Sequence, residues 1–154
     1  MRKNYFSNTL NMLLTIVFSC VFMSVWAQSE IHVEKAGTLP SLLPTSENTL
    51  KITGSINGTD VKHLRKLISE GSVNSLDLSG VRIVKGGSAY DGTNKTEDDI
   101  IGPTMFKNFT NLRSVELPAT ITAIRSQAFA ATGLKKVDIP NTVSTLEDHV
   151  FADC

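Results

Sequence analysis

The sequence predicts an α/β solenoid, in which short repeated units stack on a parallel β-sheet behind an N-terminal α/β cap. Three observations predict this fold. One pattern recurs with a period of 22–23 in the second half of the 154-residue chain. Apolar residues alternate within each unit, as they do along a strand with one buried face. A stretch with apolar residues at helical spacing precedes the units. Because such a unit is too small to bury its own apolar face, stacking must build the core.

Composition excludes several classes of protein. Lys plus Arg and Asp plus Glu each number 15, so the formal net charge is zero. Binding to the phosphates of nucleic acid needs a surplus of basic residues, so no nucleic-acid partner is expected. Charged residues make up 19% and hydrophobic residues 41% of the chain, which argues against disorder and against a mostly membrane-embedded protein.

The N-terminal segment, 1–27, has the pattern of a secretory signal. Arg2 and Lys3 precede the stretch 10–27, which carries no charge, and Val25 and Ala27 suit the −3 and −1 positions of a cleavage site. We therefore predict a signal peptide over 1–27 and an exported chain at the cell surface, outside the cell or in the periplasm. One alternative is an uncleaved anchor on a membrane-attached structural protein. A lipoprotein signal at Cys20 fits less well, because Val17 to Ser19 do not form the small-residue turn that it needs.

Cleavage would leave a chain that is stabilised by packing alone. The signal holds two basic residues and no acidic ones, so the remaining chain, 28–154, carries a net charge of −2. It contains no tryptophan and a single cysteine, Cys154. No intramolecular disulfide can form from one cysteine. We expect contact with a membrane only through the signal segment.

The repeat is defined by matched positions. Three pairs share one spacing: Leu112 and Leu134, Val115 and Val137, Pro118 and Pro140. Phe106, Phe129 and Phe151 recur at that spacing to within one position. The Leu-x-x-Val-x-Leu segment predicts a strand that ends at the proline, and the phenylalanines predict an internal aromatic column. A period of 22–23 is in the range of leucine-rich repeats.

A cap is predicted over residues 28–72. Leu50, Ile52 and Ile56 suggest a strand that ends at Asn57-Gly58. Thr59 or Asp60 then caps a helix with Val61, Leu64, Leu67 and Ile68 on its apolar face, and Gly71 ends it. Lys62, Arg65 and Lys66 lie off that face, as a solvated surface or an anion-binding patch.

The repeats themselves are predicted over 73–154, and the first of them is degenerate. Leu76-Asp77-Leu78 aligns with Val115-Glu116-Leu117, but the distance between them exceeds one repeat. We assign the surplus to a protruding loop over residues 85–99, with Tyr90 at its centre. The last repeat is incomplete at Cys154.

The repeats resemble those of the BspA-type leucine-rich repeat proteins of bacterial surfaces. The matching residues are the block Ile124-Arg-Ser-Gln-Ala128-Phe129 and the strand Leu134 to Pro140. The segment from Leu50 to Asp60 also resembles the leader of such proteins in Bacteroidetes. The resemblance implies a right-handed leucine-rich-repeat coil and a surface adhesin that binds host or matrix proteins, or polysaccharide.

A ligand surface is predicted on the exposed side of the sheet. If the strands align as above, the acidic residues Asp77, Glu116 and Asp138 form one outward column, with Lys136 in the next. Arg113 lies nearby, and Tyr90 could contribute from the loop. The alternative is that strand exteriors simply carry polar residues. We regard Asp77, Arg113, Glu116, Lys136, Asp138 and Tyr90 as candidate binding residues.

Catalytic and metal-binding patterns are not evident in the sequence. His32, His63 and His149 have no zinc-ligand spacing with each other or with cysteine. The acidic stretch from Asp91 to Asp99 lacks the residue order of a calcium loop. We therefore expect no cofactor, no metal and no enzymatic activity, and a hydrolase is only a distant alternative.

The predicted function is non-catalytic binding or adhesion. The main rival is that the chain is a truncated fragment of a longer repeat protein, since it stops within its third unit and at least three repeats are usual. The exposed C-terminal end would then permit self-association.

Overall fold

The computed structural model describes residues 30–42 and 48–154, so the predicted signal segment lies outside the described residues. These residues form two parallel sheets, one α-helix and a short 3₁₀ turn at Leu39–Ser41. The elements in chain order are β1 (Glu30–Val33), β2 (Thr49–Ile56), α1 (Gly58–Ser69), β3 (Ser75–Ile83), β4 (Ile100–Ile101), β5 (Ser114–Glu116), β6 (Ala123–Ile124) and β7 (Thr145–Leu146).

Within the two described ranges, no helix has both the length and the apolar character that a membrane crossing needs.

The first sheet contains four strands, which run from Glu30 to Glu116 along the chain. Its strand order is β1-β2-β3-β5, and all its pairs are parallel. Leu76 pairs with Val115 and Asp77 with Glu116, which confirms the predicted alignment of the degenerate first repeat. Leu76 and Val115 are both buried, so the alternate residues Asp77 and Glu116 lie on the opposite side of the sheet.

Helix α1 begins slightly earlier than predicted. Asn57, and neither Thr59 nor Asp60, is the N-cap: its side chain accepts a hydrogen bond from the Thr59 N–H at 2.9 Å. Asp60 completes the capping box by accepting the Asn57 N–H at 2.8 Å. The predicted apolar face is confirmed, since Val61, Leu64 and Ile68 are buried and Leu67 packs beside them. The helix ends before Gly71, whose φ of 76° is readily adopted by glycine.

In the second sheet, equivalent residues of successive repeats pair with each other. Strands β4, β6 and β7 pair in order, with Ile101 beside Ile124 and Ile124 beside Leu146. We call the units that begin at these three residues the first, second and third rungs. The equivalent positions of successive rungs therefore lie side by side, as the repeat predicts.

The predicted aromatic column is confirmed. The rings of Phe106 and Phe129 stack with centroids 5.4 Å apart and planes within 11°, and those of Phe129 and Phe151 are 5.6 Å apart and within 8°. Phe106 and Phe129 are fully buried, whereas Phe151 is only half-buried.

Backbone hydrogen bonds around each phenylalanine join one rung to the next. The N–H groups of the phenylalanine and of the residues two before and two after it donate to carbonyls of the following rung. We call this set the inter-rung ladder. Its bonds, from 2.7 to 3.2 Å, run from Thr104 to Ser126, Phe106 to Ala128, Asn108 to Ala130, Gln127 to Asp148, Phe129 to Val150 and Ala131 to Ala152.

The flanking residues of the ladder share an unusual backbone conformation. Thr104, Gln127 and His149 have φ values of 53°, 58° and 59°, and the residues two after each phenylalanine have φ values of 55° to 68°: Asn108, Ala131 and Asp153. Left-handed backbone costs about 1–3 kcal/mol at a residue that is not glycine. The left-handed conformation recurs two residues before and two residues after each phenylalanine, so the same turn geometry is present in every rung.

The predicted third strand of the first sheet is not formed. Residues 134–140 lie next to β5 in the stack, but in the described structure no ladder pairs them with it. The connection from Phe129 to Leu134 is one residue shorter than that from Phe106 to Leu112. Along it, Gly133 passes so close to Thr110 that a Cβ would lie 2.4 Å from the Thr110 carbonyl oxygen.

Truncation of the central phenylalanine tests the aromatic column. Phe129→Ala should lower the free energy of unfolding by about 3–5 kcal/mol, because a fully buried ring leaves a cavity between two others. Phe151→Ala is the matched control and should cost clearly less, since its ring is stacked on one side only. Urea unfolding followed by circular dichroism measures both changes. Equal losses would contradict a column centred on Phe129.

Candidate functional site

The outward row of the first sheet begins with alternating charges. Glu30, Lys51, Asp77 and Glu116 are neighbours in register on the four strands. The Lys51 Nζ atom lies 3.4 Å from Glu30 Oε2 and 4.0 Å from Asp77 Oδ2. Asp77 Oδ1 also accepts hydrogen bonds from the N–H and the hydroxyl of Ser79. Asp77 is thus satisfied within the fold, and Lys51 offsets the repulsion expected between the neighbouring carboxylates of Asp77 and Glu116.

Asp138 does not continue the acidic column, which corrects the predicted arrangement. Because residues 134–140 form no strand, Asp138 is not in register with Glu116. It pairs instead with Lys136, whose Nζ lies 3.0 Å from Asp138 Oδ2, and both side chains are largely exposed. Exposed pairs of this kind contribute about 0–1 kcal/mol, so Lys136 and Asp138 remain available to a partner.

Four of the six candidate residues line one depression of about 590 Å³. Arg113 and Glu116 come from β5 and the residue before it, and Lys136 and Asp138 from the neighbouring segment. Ser79 and Lys135 also line it. Arg113, Lys135 and Glu116 have no ion pair within 4.0 Å in the described part of the chain, and all three are exposed. We call the depression and the adjoining Asp77 the outer face. The charged side chains of the outer face can form ion pairs and hydrogen bonds with a ligand.

Tyr90 is not on the outer face, and the loop around it does not protrude. Its side chain is only 2% exposed, and its hydroxyl donates to the Pro103 carbonyl at 2.9 Å. Burial raises the pKa of the Tyr90 phenol, which keeps the hydroxyl protonated as a donor. The loop packs on the start of α1, where the Gly58 N–H donates to Gly86 and the Ser88 N–H to Thr59. Tyr90, predicted as a candidate binding residue at the centre of a protruding loop, is instead buried against the first rung.

Arg65, which the sequence placed on a solvated surface, lies beside Tyr90. Its guanidinium donates to the carbonyls of Thr104 and Met105, and its Cζ atom is 5.0 Å from the ring centre of Phe109 and 6.0 Å from that of Tyr90. Helical spacing correctly places Arg65 off the apolar face. It carries no signal that the first rung would lie against that side.

Arg65 and Tyr90 together end the inter-rung ladder. Pro103 and Met105 occupy the positions in the first rung that Ser126 and Ala128 occupy in the second. The latter two carbonyls accept N–H groups from the preceding rung. In the first rung, the phenol of Tyr90 and the guanidinium of Arg65 supply those donors instead. These two side chains therefore supply hydrogen-bond donors to part-buried carbonyls that no preceding rung reaches.

Asp91 holds the loop to the first rung. Its carboxylate accepts from the N–H groups of Thr93 and Asn94, from the Asn94 side chain and from the Thr104 hydroxyl, at 2.7 to 3.0 Å. Partial burial raises the pKa of Asp91, but the hydrogen bonds outweigh burial and bring it down to about 2. The acidic loop residues thus have a structural role here, and the described residues contain no cluster of potential metal ligands.

Replacement of Arg65 tests the end of the ladder. Arg65→Ala should lower the free energy of unfolding by about 2 kcal/mol, since charge-assisted bonds to two carbonyls are lost. Lys66→Ala is the control on the same helix, because Lys66 is exposed and makes only an ion pair to Glu70 at 3.8 Å. It should change stability by less than about 0.5 kcal/mol. Similar effects in thermal or urea unfolding would show that Arg65 is only a surface residue.

Acid unfolding tests the role of Asp91. Since its pKa falls from 3.8 when unfolded to about 2 when folded, its stabilisation is complete above about pH 4 and is lost as the pH falls to about 2. Asp91→Asn should make the free energy of unfolding less dependent on pH in that window. Glu34→Gln, which changes an exposed carboxylate away from the loop, should keep the wild-type slope. An unchanged slope in Asp91→Asn would refute the assignment.

Comparison with known proteins agrees with the geometry of the second half. Residues 93–154 match the family model described as BspA type leucine rich repeat region (6 copies). No curated protein matches the chain. The matched range contains all three rungs, the aromatic column and the inter-rung ladder. Residues 93–154 are therefore a BspA-type leucine-rich repeat region.

Proposed function

We propose that this protein is a non-catalytic binding and adhesion module that recognises a partner through the outer face. Leucine-rich repeat regions generally mediate protein–protein interaction, and the BspA-type repeat is a non-enzymatic family. The observation that carries the proposal is the depression between β5 and residues 135–138. In it, Arg113, Lys135 and Glu116 are exposed and have no ion pair in the described structure.

The mixture of charges favours a protein partner. The depression carries three cationic side chains and the two carboxylates of Glu116 and Asp138. A polyanionic polysaccharide would be repelled by those carboxylates, whereas a protein surface can present both signs. Host or matrix proteins are therefore the proposed partners, and polysaccharide is the second candidate.

Binding would rest on many weak contacts. Each exposed ion pair contributes about 0–1 kcal/mol, so no single one can hold a partner. Display of several copies on one surface would raise the overall affinity. This mechanism requires export, which we propose is directed by residues 1–27, with the chain secreted or held at the cell surface.

The remaining organisation is proposed on the same basis. Residues 28–72 form the cap, 73–154 the repeats and 85–99 the insertion, and the rungs follow a right-handed solenoid coil.

The mass of the exported chain tests the signal peptide. Trp26 is the only tryptophan, so the cleaved chain should also show no tryptophan fluorescence.

Paired substitutions test the outer face. The double variant Glu116→Ser with Asp138→Ser, and separately Arg113→Glu, should weaken binding to the recognised member of a panel of immobilised matrix proteins and polysaccharides. The expected loss is about tenfold, which corresponds to about 1.4 kcal/mol of contacts. Binding of the wild-type chain should also weaken as salt is raised, because exposed charges are screened.

A matched control removes two acids elsewhere. Glu34→Ser with Glu70→Ser changes the net charge equally but alters exposed residues away from the outer face. It should bind as the wild type does. Unchanged binding by the Glu116 and Asp138 variant, with its circular dichroism spectrum intact, would exclude the outer face as the site.

A further inference from the structure

The charges of the outer face are separated along the chain direction. In the segment that contains β5, the cation Arg113 comes first and the acid Glu116 follows three residues later. In the neighbouring segment, Lys135 and Lys136 come first and Asp138 follows. All five residues are exposed and line the same depression. Each segment therefore runs from positive to negative side chains.

Both segments cross the outer face in the same direction. Residues 112–118 lead from Phe106 to β6, and residues 134–140 lead from Phe129 to β7. The two phenylalanine rings stack, and β6 pairs with β7 in parallel. Because the segments start side by side and end side by side, their cations lie towards one edge of the face and their acids towards the other. Three residues of extended chain separate the two edges by about 10 Å.

A surface with one basic edge and one acidic edge is complementary to itself. We call Arg113, Lys135 and Lys136 the basic edge, and Glu116 and Asp138 the acidic edge. A two-fold axis that lies in the plane of contact and runs across the strands places the basic edge of one copy opposite the acidic edge of the other. An axis along the strands would place like charges opposite each other. Only the first arrangement, in which the strands of the two copies are antiparallel, is attractive.

The adjoining strands are compatible with this arrangement. Thr49 and Ser75 are paired in register, two residues before Lys51 and Asp77. The same two-fold axis places Lys51 of one copy opposite Thr49 of the other, and Asp77 opposite Ser75. Each of these charges therefore meets a hydroxyl side chain, and the two strands bring no like charges together.

We propose that the outer faces of two copies of this chain bind each other in the antiparallel two-fold arrangement. The inference rests on the proposed function, since it takes the outer face to be the binding surface. It adds that a second copy is itself a partner of that surface. A host or matrix protein and the second copy would then compete for the same charged side chains.

The pairing should be weak. Four neighbouring segments at a spacing of about 4.8 Å, with about four residues from each, form a small area of contact. A stable interface buries about 800 Å² on each partner, which is considerably more. Association should therefore be measurable only at high protein concentration. It should also weaken as salt is raised, because the paired charges are at the surface and are screened.

Reversal of one edge at a time tests the pairing. Arg113→Glu with Lys135→Glu makes the outer face acidic, and Glu116→Lys with Asp138→Lys makes it basic. In sedimentation equilibrium at low salt and up to about 1 mM protein, with reducing agent present, the wild type should self-associate. Each variant alone should self-associate at least about tenfold more weakly. An equimolar mixture of the two variants should associate at least as strongly as the wild type, because an acidic face then meets a basic one.

Two controls separate the effect of the edges from that of net charge. The chain with all four substitutions exchanges the two edges and should self-associate as the wild type does. Glu34→Lys with Glu70→Lys has the same net charge as the variant with a basic outer face, but carries the change at exposed residues elsewhere. It should also self-associate as the wild type does. Circular dichroism checks that every variant is folded.

The results that overturn the inference are distinct from those that overturn the proposed function. Self-pairing of the outer face is excluded if the wild type stays monomeric or if the reversed variants associate as the wild type does. It is also excluded if their mixture associates no more than its separate components. Chains that bind a matrix protein but not each other would refute this inference alone. Chains that bind each other but no member of the matrix panel would refute only the host-protein partner.

Discussion

The inter-rung ladder is the interaction on which the rest of the structure depends. Its six hydrogen bonds contribute about 0.5–1.5 kcal/mol each, whereas the six left-handed residues that shape the rungs cost about 1–3 kcal/mol each. Over most of these ranges, hydrogen bonding alone does not offset the backbone strain. Burial of the phenylalanine rings, at about 1.5–3 kcal/mol for each fully buried side chain, has to supply the remainder. The ladder and the aromatic column are thus stable only together.

A ladder with all its donors pointing one way has two chemically different ends. At the first rung the groups without an inter-rung partner are carbonyls, and Arg65 of α1 and Tyr90 of the loop after β3 donate hydrogen bonds to them. At the third rung they are N–H groups. The loop that carries Tyr90 and Asp91 therefore acts together with α1 at this end of the rungs, although it follows β3 in sequence. Its dense internal hydrogen bonding around Asp91 is what gives a polar, glycine-containing segment a fixed position.

The parts of the fold that sequence could predict are those repeated or periodic in residue type. Phe106, Phe129 and Phe151 recur, so their stacking was predictable, and the spacing of Val61, Leu64 and Ile68 identified the buried face of α1. The left-handed positions were not predictable, because Thr104, Gln127 and His149 share a conformation but no chemistry. Asp77 and Glu116 were correctly aligned. The position of Asp138 was not predicted correctly. The sequence shows that the preceding turn is one residue shorter, but it does not show whether the following segment pairs with β5. Arg65 and Tyr90 each stand alone in a polar context, and only the tertiary structure brings them to the same carbonyl row.

The placement of Arg65 and Tyr90 before the rungs also bears on biosynthesis. A ribosome releases the N-terminal part of a chain first, at about 5–20 residues per second, and that part can begin to fold before the rest appears. The guanidinium and the phenol therefore emerge from the ribosome before Pro103 and Met105 do. The carbonyl row of the first rung meets its intended partners as it emerges, and a neighbouring nascent chain has little opportunity to reach it first.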